Sequence, residues 1–187
     1  MPVQKITKEE IVRIAIELFR KQGYNRTSMN DLAQACGLQK GSFYHYFNSK
    51  EALMREVLDT LHQYYKRKLF SIAFDESYTP RERMEYFFKK QEPIFTQDLA
   101  GCLFGNITLE TISMIDEFKS TIQQFFGDWI AAFQHIFVAD GRNEAEATQL
   151  ARQSVMEIEG ALMMMRVFED AGLLRDTCSA VLLKLNH

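Results

Sequence analysis

A short segment after Leu38 combines two aromatic residues with side chains that suit contact with nucleic acid. Phe43 and Phe47 are four residues apart, so in a helix both point to the same, inward side. The polar side chains are then left largely outside, and they are Gln39, Lys40, Ser42, Tyr44 and His45. Groups of this kind contact phosphates and base edges. The spacing therefore indicates a helix that could lie along a duplex.

This segment follows two other predicted helices, and the turns between them are very short. The first covers about residues 8–22: Thr7 and Glu10 form a capping-box pattern at its start, and Gly23 suits its end. The second begins at Ser28 and ends before Gly37, whose freedom to adopt a left-handed conformation suits a tight turn. The third covers about residues 39–46. Helices in this order predict a helix-turn-helix unit.

Charge is distributed unevenly along the chain. Residues 1–50 carry eight basic and four acidic groups, a balance of +4, although the whole chain of 187 residues has a net charge of −3. The remaining residues therefore sum to −7. A basic N-terminal segment on an acidic body indicates a polyanionic partner for that segment alone.

Helical periodicity continues to the end of the chain. We predict a long helix over about residues 50–74, one over 80–97 that contains Pro93, and a break around Gly101. A short helix over 106–113 and three longer ones then follow, the last two over about 143–171 and 174–186. No segment alternates with period two for long enough to predict a strand. The expected fold class is all-α with about nine helices.

Several functional classes are not expected. None of the common nucleotide-binding, zinc-protease or nucleophile-elbow motifs is present, so we expect no enzyme. Cys36, Cys102 and Cys178 are too far apart for a zinc site or a disulfide framework, and we expect no metal or cofactor. The first ten residues lack the apolar stretch of a signal peptide, and no apolar run is long enough to span a membrane. We therefore expect a cytoplasmic protein.

The segment from Gly37 to Leu53 resembles the recognition helix and the start of the fourth helix of TetR/AcrR-type regulators. Its sequence is GLQKGSFYHYFNSKEAL, and the upstream stretch Phe19 to Leu32, with Gly23-Tyr24 and Thr27-Ser28, is similar as well. The resemblance covers about residues 5–60. It implies a DNA-binding helix-turn-helix domain over residues 1–48 and a helical ligand-binding and dimerisation domain over residues 49–187.

The same resemblance implies how the protein would bind DNA. A homodimer would place two recognition helices in successive major grooves of a palindromic operator. Phosphates would be held by Thr27, Ser28, Tyr44, Tyr46 and Lys50. Bases would be faced by Gln39, Lys40, Gly41, Ser42 and His45. Tyr44 and Tyr46 have an alternative role, since either could pack against the first helix.

A regulator of this kind is expected to be a repressor that a small-molecule or electrophile inducer releases from DNA. The candidate pocket residues are Phe88, Phe95, Cys102, Phe104, Trp129, Phe133, Met164 and Phe168. Ordinary core packing is the alternative for each of them. Cys102 is placed similarly to the sensing cysteine of NemR-like members, or it is a small buried residue in a turn.

Two further alternatives remain open from the sequence. A DNA-bound adaptor of the same fold would recruit a protein partner and lack a cavity, whereas a pocket above about 300 Å³ would favour a sensor.

Gly160 interrupts a long predicted helix at a cost of about 1 kcal/mol. A dimer seam would explain this glycine, and so would close packing inside one subunit.

Overall fold

The structure is a computed structural model that describes residues 6–113 and 115–186. Over these residues the chain forms nine α-helices and no strand, as predicted. The helices are α1 (Lys8–Gln22), α2 (Met29–Ala35), α3 (Lys40–Tyr44), α4 (Lys50–Lys68), α5 (Pro80–Thr96), α6 (Leu103–Thr111), α7 (Asp116–Ala139), α8 (Glu144–Phe168) and α9 (Gly172–Leu182).

The first three helices form where the sequence predicts them. Thr7 accepts a hydrogen bond from the Glu10 N–H and completes a capping box at α1, and Ser28 and Asp31 form the same box at α2. Gly23 ends α1 with a positive φ of 80°. Helix α1 packs on α4, which joins this N-terminal unit to the rest of the chain.

The fourth helix is shorter than predicted. Leu69 leaves the helical conformation, with φ −124° and ψ −60°, and a 3-10 helix follows over Phe70–Phe74. This change of geometry turns Phe70 and Ile72 into the core and leaves Phe74 half exposed. Periodicity alone did not separate the two kinds of helix, because both place apolar residues at intervals of three or four.

The break before the sixth helix is also narrower than predicted. Pro93 lies inside α5 without ending it, and a 3-10 turn over Gln97–Leu99 follows. Helix α6 begins at Leu103 because the Cys102 sulfur accepts a hydrogen bond from the Gly105 N–H at 3.5 Å and caps the helix. Asp98 and Leu99 both have positive φ values, of 53° and 51°.

Aromatic side chains fill the centre of the C-terminal helices. Phe104 of α6 stacks on Phe125 of α7 with 3.8 Å between ring centroids. Trp129 lies among Phe70, Phe87 and Phe95, with centroids 6.0–6.4 Å apart. Helix α7 packs on α8, and α8 packs on α9.

No helix among residues 6–113 and 115–186 is long and apolar enough to cross a membrane.

We expect Phe104→Ala to lower the free energy of unfolding by about 3–5 kcal/mol, because it removes a fully buried ring and leaves a cavity. Phe74→Ala is the matched control, since Phe74 is half exposed and contacts mainly His135; it should cost about 1 kcal/mol or less. Urea unfolding followed by circular dichroism measures both. Equal losses for the two variants would contradict the assignment of Phe104 to the core.

Candidate nucleic-acid interface and ligand cleft

Helix α3 is held against the N-terminal unit by the two aromatic residues that its spacing singled out. Phe43 is fully buried and Phe47 is 4% exposed, with their ring centroids 6.5 Å apart. The turn before the helix is closed by the Leu38 N–H, which donates to the Ala33 carbonyl at 2.9 Å. Gly37 has φ +66° there, a conformation that favours glycine.

The polar edge of α3 faces away from the subunit. The exposed residues of this edge are Gln39, Lys40, Gly41, Ser42, Tyr44 and His45. The Lys40 ammonium lies 6.0 Å from the centroid of the Tyr44 ring. A Cβ built on Gly41 meets nothing within 4 Å, so the backbone at this position is open to close approach. The six residues expected to contact bases or phosphates from α3 therefore share one accessible surface.

Two residues expected to hold phosphates have hydrogen-bond partners inside the protein. Thr27 is 1% exposed, and its hydroxyl donates to the Gly23 carbonyl at 2.7 Å. The Lys50 ammonium donates to the carbonyls of Tyr24 and Thr27 at 2.8 and 2.9 Å and lies 4.1 Å from the Tyr24 ring. Both side chains thus fasten the α1–α2 turn to the start of α4. The family pattern placed them near DNA but did not reveal these internal partners.

Ser28 and Tyr46 are partly accessible and also have hydrogen-bond partners within the protein. Ser28 is exposed, but its N–H and hydroxyl both donate to the Asp31 carboxylate, at 2.9 and 2.7 Å. These hydrogen bonds lower the pKa of Asp31, which keeps a negative charge at the start of α2. Tyr46 is half-buried and donates from its hydroxyl to the Ile6 carbonyl at 3.0 Å. Its hydroxyl is therefore held by the segment that precedes α1.

Most of the residues predicted to form the aromatic wall of a ligand pocket lie in the packed core. Five of these residues are buried and pack on other rings in the core; they are Phe88, Phe95, Phe104, Trp129 and Phe133. Met164 and Phe168 lie on the outer surface of α8, 40% and 62% exposed. Ordinary core packing, the alternative for each of these five residues, describes their present surroundings.

A cleft does exist between α6 and α8, and Cys102 is the one predicted pocket residue that lines it. Its volume is about 640 Å³. Its walls are largely apolar, with Leu109, Phe126, Leu162, Met163 and Val167 among the lining residues. The polar groups in the cleft include Cys102, Asn106, Glu159 and Arg166.

Glu159 is the polar group of the cleft whose hydrogen-bonding capacity is left partly unused. Its Oε1 atom is buried and has no hydrogen-bond partner among the described residues. A Cβ built on Gly105 would lie 2.5 Å from Glu159 Oε2 and 3.7 Å from Cys102 Cβ, so the glycine makes room for the carboxyl group beside the thiol. Burial raises the pKa of Glu159 to about 7. Sequence reasoning missed this residue because its surroundings are set by a helix about 50 positions earlier.

The Cys102 thiol is poorly suited to ionise in this environment. Burial, reinforced by the neighbouring Glu159 charge, holds the pKa of Cys102 well above its usual value. No lysine or arginine is among the groups that influence it. Because the thiolate is the reactive form, the resting cleft favours an unreactive cysteine.

The cleft is connected to the helix-turn-helix unit through α6 and the segment before it. Glu110, near the end of α6, accepts a hydrogen bond from the Asn25 N–H at 2.8 Å in the α1–α2 turn. Arg20 of α1 donates to the carbonyls of Ile94 and Gly101. A displacement of α6 would therefore act directly on the elements that hold α2 and α3.

Comparisons with known proteins agree with this architecture. Residues 11–57 match the family described as bacterial regulatory proteins, tetR family, and residues 80–179 match the C-terminal domain described as transcriptional regulator LmrA/YxaF-like. The HTH-type transcriptional regulator YxaF of Bacillus subtilis is 32% identical over 161 residues, 84% of each chain.

Two solved structures show the same fold. The crystal structure of a TetR transcriptional regulator from Legionella pneumophila superposes with a TM-score of 0.89 over the whole of both chains, at 24% identity. The reduced form of Escherichia coli NemR superposes with a TM-score of 0.80, covering 93% of this chain and 94% of NemR, at 20% identity.

The chain therefore belongs to the TetR family of bacterial regulatory proteins, and it is a helix-turn-helix transcriptional regulator. The resemblance inferred from residues 37–53 is confirmed. The likeness to NemR at this identity concerns the fold, and the chemistry of Cys102 has to be tested on this chain.

We expect N-ethylmaleimide at neutral pH to alkylate Cys36 before Cys102 and Cys178. Burial raises the pKa of all three thiols, but Cys36 is the least buried, whereas Cys178 reaches about 12 and Cys102 lies well above its usual value. A higher thiol pKa leaves less thiolate at a given pH and slows the reaction. Peptide mass spectrometry over time gives the order, and the urea-unfolded chain, in which the three should react alike, is the control. Fastest reaction at Cys102 would contradict this account and favour an electrophile sensor.

Proposed function

We propose that the protein is a homodimeric repressor that binds a palindromic DNA operator through α3 and is released when a small molecule occupies the cleft between α6 and α8. Residues 1–48 would bind DNA, and residues 49–187 would carry the ligand site and the dimer contacts. The observation that carries the proposal is the polar edge of α3, which is set on two buried phenylalanines and is exposed in the part of the chain that the structure describes.

DNA contact would involve α3 and the start of α2. Gln39, Lys40, Gly41, Ser42 and His45 would face the bases, with Gly41 permitting close approach of the backbone. Phosphates would be held by Ser28, Tyr44 and Tyr46. Thr27 and Lys50 would act indirectly, by fixing the turn that sets the position of α2. Few of these side chains are strong base readers, so DNA shape would supply part of the specificity.

The cleft supports release by a ligand over the alternative of an adaptor that recruits a protein. Its volume of about 640 Å³ is within the range of small-molecule sites. Release requires that the ligand bind the DNA-free conformation more tightly than the DNA-bound one. Helix α6 supplies a route for this difference, because it lines the cleft and also holds the α1–α2 turn through Glu110. The raised pKa of Cys102 favours reversible binding over capture of an electrophile.

An apolar stripe on α8 supports the homodimer. Met156, Gly160, Met163 and Val167 recur at helical spacing on one outer face, and the three side chains are 57–67% exposed. A Cβ built on Gly160 meets nothing within 4 Å, so packing within the subunit does not account for this glycine. Leu183, just beyond α9, adds a side chain that is 80% exposed. A second copy lying across α8 and α9 would cover this surface.

We expect Gly41→Ala to weaken operator binding at least tenfold without lowering stability. Alanine has open space at this position and a better helix propensity than glycine, so the free protein should be as stable as wild type or slightly more stable. The added methyl group would obstruct the close approach of the backbone to DNA. Footprinting upstream of the protein's own gene would define the operator, and fluorescence anisotropy would measure affinity.

A charge variant tests the same surface independently. Lys40→Ala should weaken binding by about tenfold and reduce its salt dependence, because a phosphate or base contact is lost. Lys89→Ala removes an exposed lysine of α5 and should leave affinity unchanged. Unchanged affinity in both Gly41→Ala and Lys40→Ala would rule out α3 as the recognition helix.

We expect the wild-type protein to have a mass near 44 kDa in solution, twice the 21.8 kDa of one chain. Met156→Glu or Leu183→Glu should shift it toward the monomer, since each would bury a charge in the proposed seam. Tyr64→Glu, at an exposed aromatic residue of α4, is the control that should remain dimeric. Light scattering coupled to size exclusion measures the mass, and a dimer that survives both seam variants would place the interface elsewhere.

A further inference from the structure

The cleft between α6 and α8 contains a carboxyl group that contacts within the subunit satisfy only in part. The carboxyl group of Glu159 lines an otherwise largely apolar space, and its buried Oε1 atom has no hydrogen-bond partner among residues 6–113 and 115–186. An unpaired buried acceptor is costly, and a ligand that donates to it recovers that cost. The cleft therefore selects for a hydrogen-bond donor at this point.

We propose that the cleft binds small lipophilic amines as cations, with the Glu159 carboxylate receiving the ammonium group. The apolar part of the ligand would lie against Leu109, Phe126 and Leu162, which line the same space. This inference deepens the proposed function, because it names the chemical class of inducer for the cleft assigned there.

The other titratable groups near Glu159 offset its burial only in part: the hydrogen bond with Cys102 lowers the pKa of Glu159, and burial outweighs it. Cys102 faces it from α6 and Tyr65 from α4, and burial raises the pKa of both, so both are neutral at physiological pH. Arg166, seven residues further along α8, donates from Nη1 to the Asn106 Oδ1 atom at 2.7 Å. With all three present, burial still raises the pKa of Glu159 to about 7. An arriving cation would be the missing counter-charge.

The position of the cleft fits a site that is closed in the dimer. Gly160, Met163 and Val167 belong both to the cleft and to the apolar stripe of α8. A second copy seated on the stripe would cover part of the mouth of the cleft. Exclusion of water there would strengthen the attraction between an ammonium group and Glu159.

Three probes of matched size test the proposal by isothermal titration calorimetry with the full-length protein and no DNA. These are 1-naphthylmethylamine, 1-naphthylmethanol and 1-naphthoic acid. We expect the amine to bind at least tenfold more tightly than the alcohol. In Glu159→Gln this preference should fall to about twofold or less, whereas Glu157→Gln, which removes a carboxylate of the same helix outside the cleft, should retain it.

The pH dependence gives a second readout that needs no variant. Because Glu159 titrates near pH 7, the carboxylate that binds the amine is mostly lost at pH 5.5 and mostly present at pH 8. Amine affinity should therefore be about 30-fold weaker at pH 5.5 than at pH 8. Binding near pH 7 should release a fraction of a proton. Tighter binding of the alcohol or the acid, or amine affinity that does not change with pH, would overturn the proposal.

Operator release separates this inference from the proposed function. An amine that binds through Glu159 but does not release the operator would leave the ligand site standing and contradict ligand-controlled release. If another compound released the operator and no amine bound, ligand-controlled release would be supported and the amine site contradicted.

Discussion

The burial of Phe43 and Phe47 is the contact on which the exposed polar edge of α3 depends. Helix α3 has only five residues, far too few to be stable by itself in water. Its conformation exists because two rings anchor it to the N-terminal core and because Gly37 turns the chain tightly enough to place them there. The polar edge is therefore a consequence of aromatic packing on the opposite side of the same short helix.

A few hydrogen bonds also join the N-terminal helices to the rest of the molecule. Tyr24 donates from its hydroxyl to Glu51 at 2.9 Å, and Lys50 binds the carbonyls of the α1–α2 turn, so the start of α4 is fastened to the recognition unit. Helix α6 reaches the same turn through Glu110. The α1–α2 turn is thus held from two directions, by the start of α4 and by the end of α6.

The two ends of helix α6 have different chemical surroundings. Its N-terminus is capped by Cys102 and lies next to the buried Glu159, whereas its C-terminal end carries Glu110 on the side of the helix-turn-helix unit. The segment before it contains two non-glycine residues with positive φ, an uncommon conformation that concentrates at functional segments. The cleft extends along α6 as far as Leu109, next to the residue that binds the α1–α2 turn.

Several elements could be read from the sequence with little error, and others could not. The capping boxes at Thr7 and Ser28 and the glycine at position 23 set the limits of α1 and α2 through local hydrogen bonds. The end of α4 at Lys68 was missed, because a 3-10 turn keeps nearly the same apolar spacing as an α-helix. Thr27 and Lys50 were placed near phosphates, because a motif records which residues recur and not which carbonyls they bind.

The sequence by itself determined the helical class, the helix-turn-helix unit and the outward edge of α3, since each follows from spacing within a few residues. Only the tertiary structure decided which aromatic residues are core and where the cleft lies. Phe104 and Trp129 have the same residue types and spacing whether their rings line a cavity or fill the core. Which of the two occurs depends on neighbours from distant helices. The pairing of Cys102 with Glu159 joins residues that are far apart in the chain, so no local pattern could reveal the buried carboxyl group.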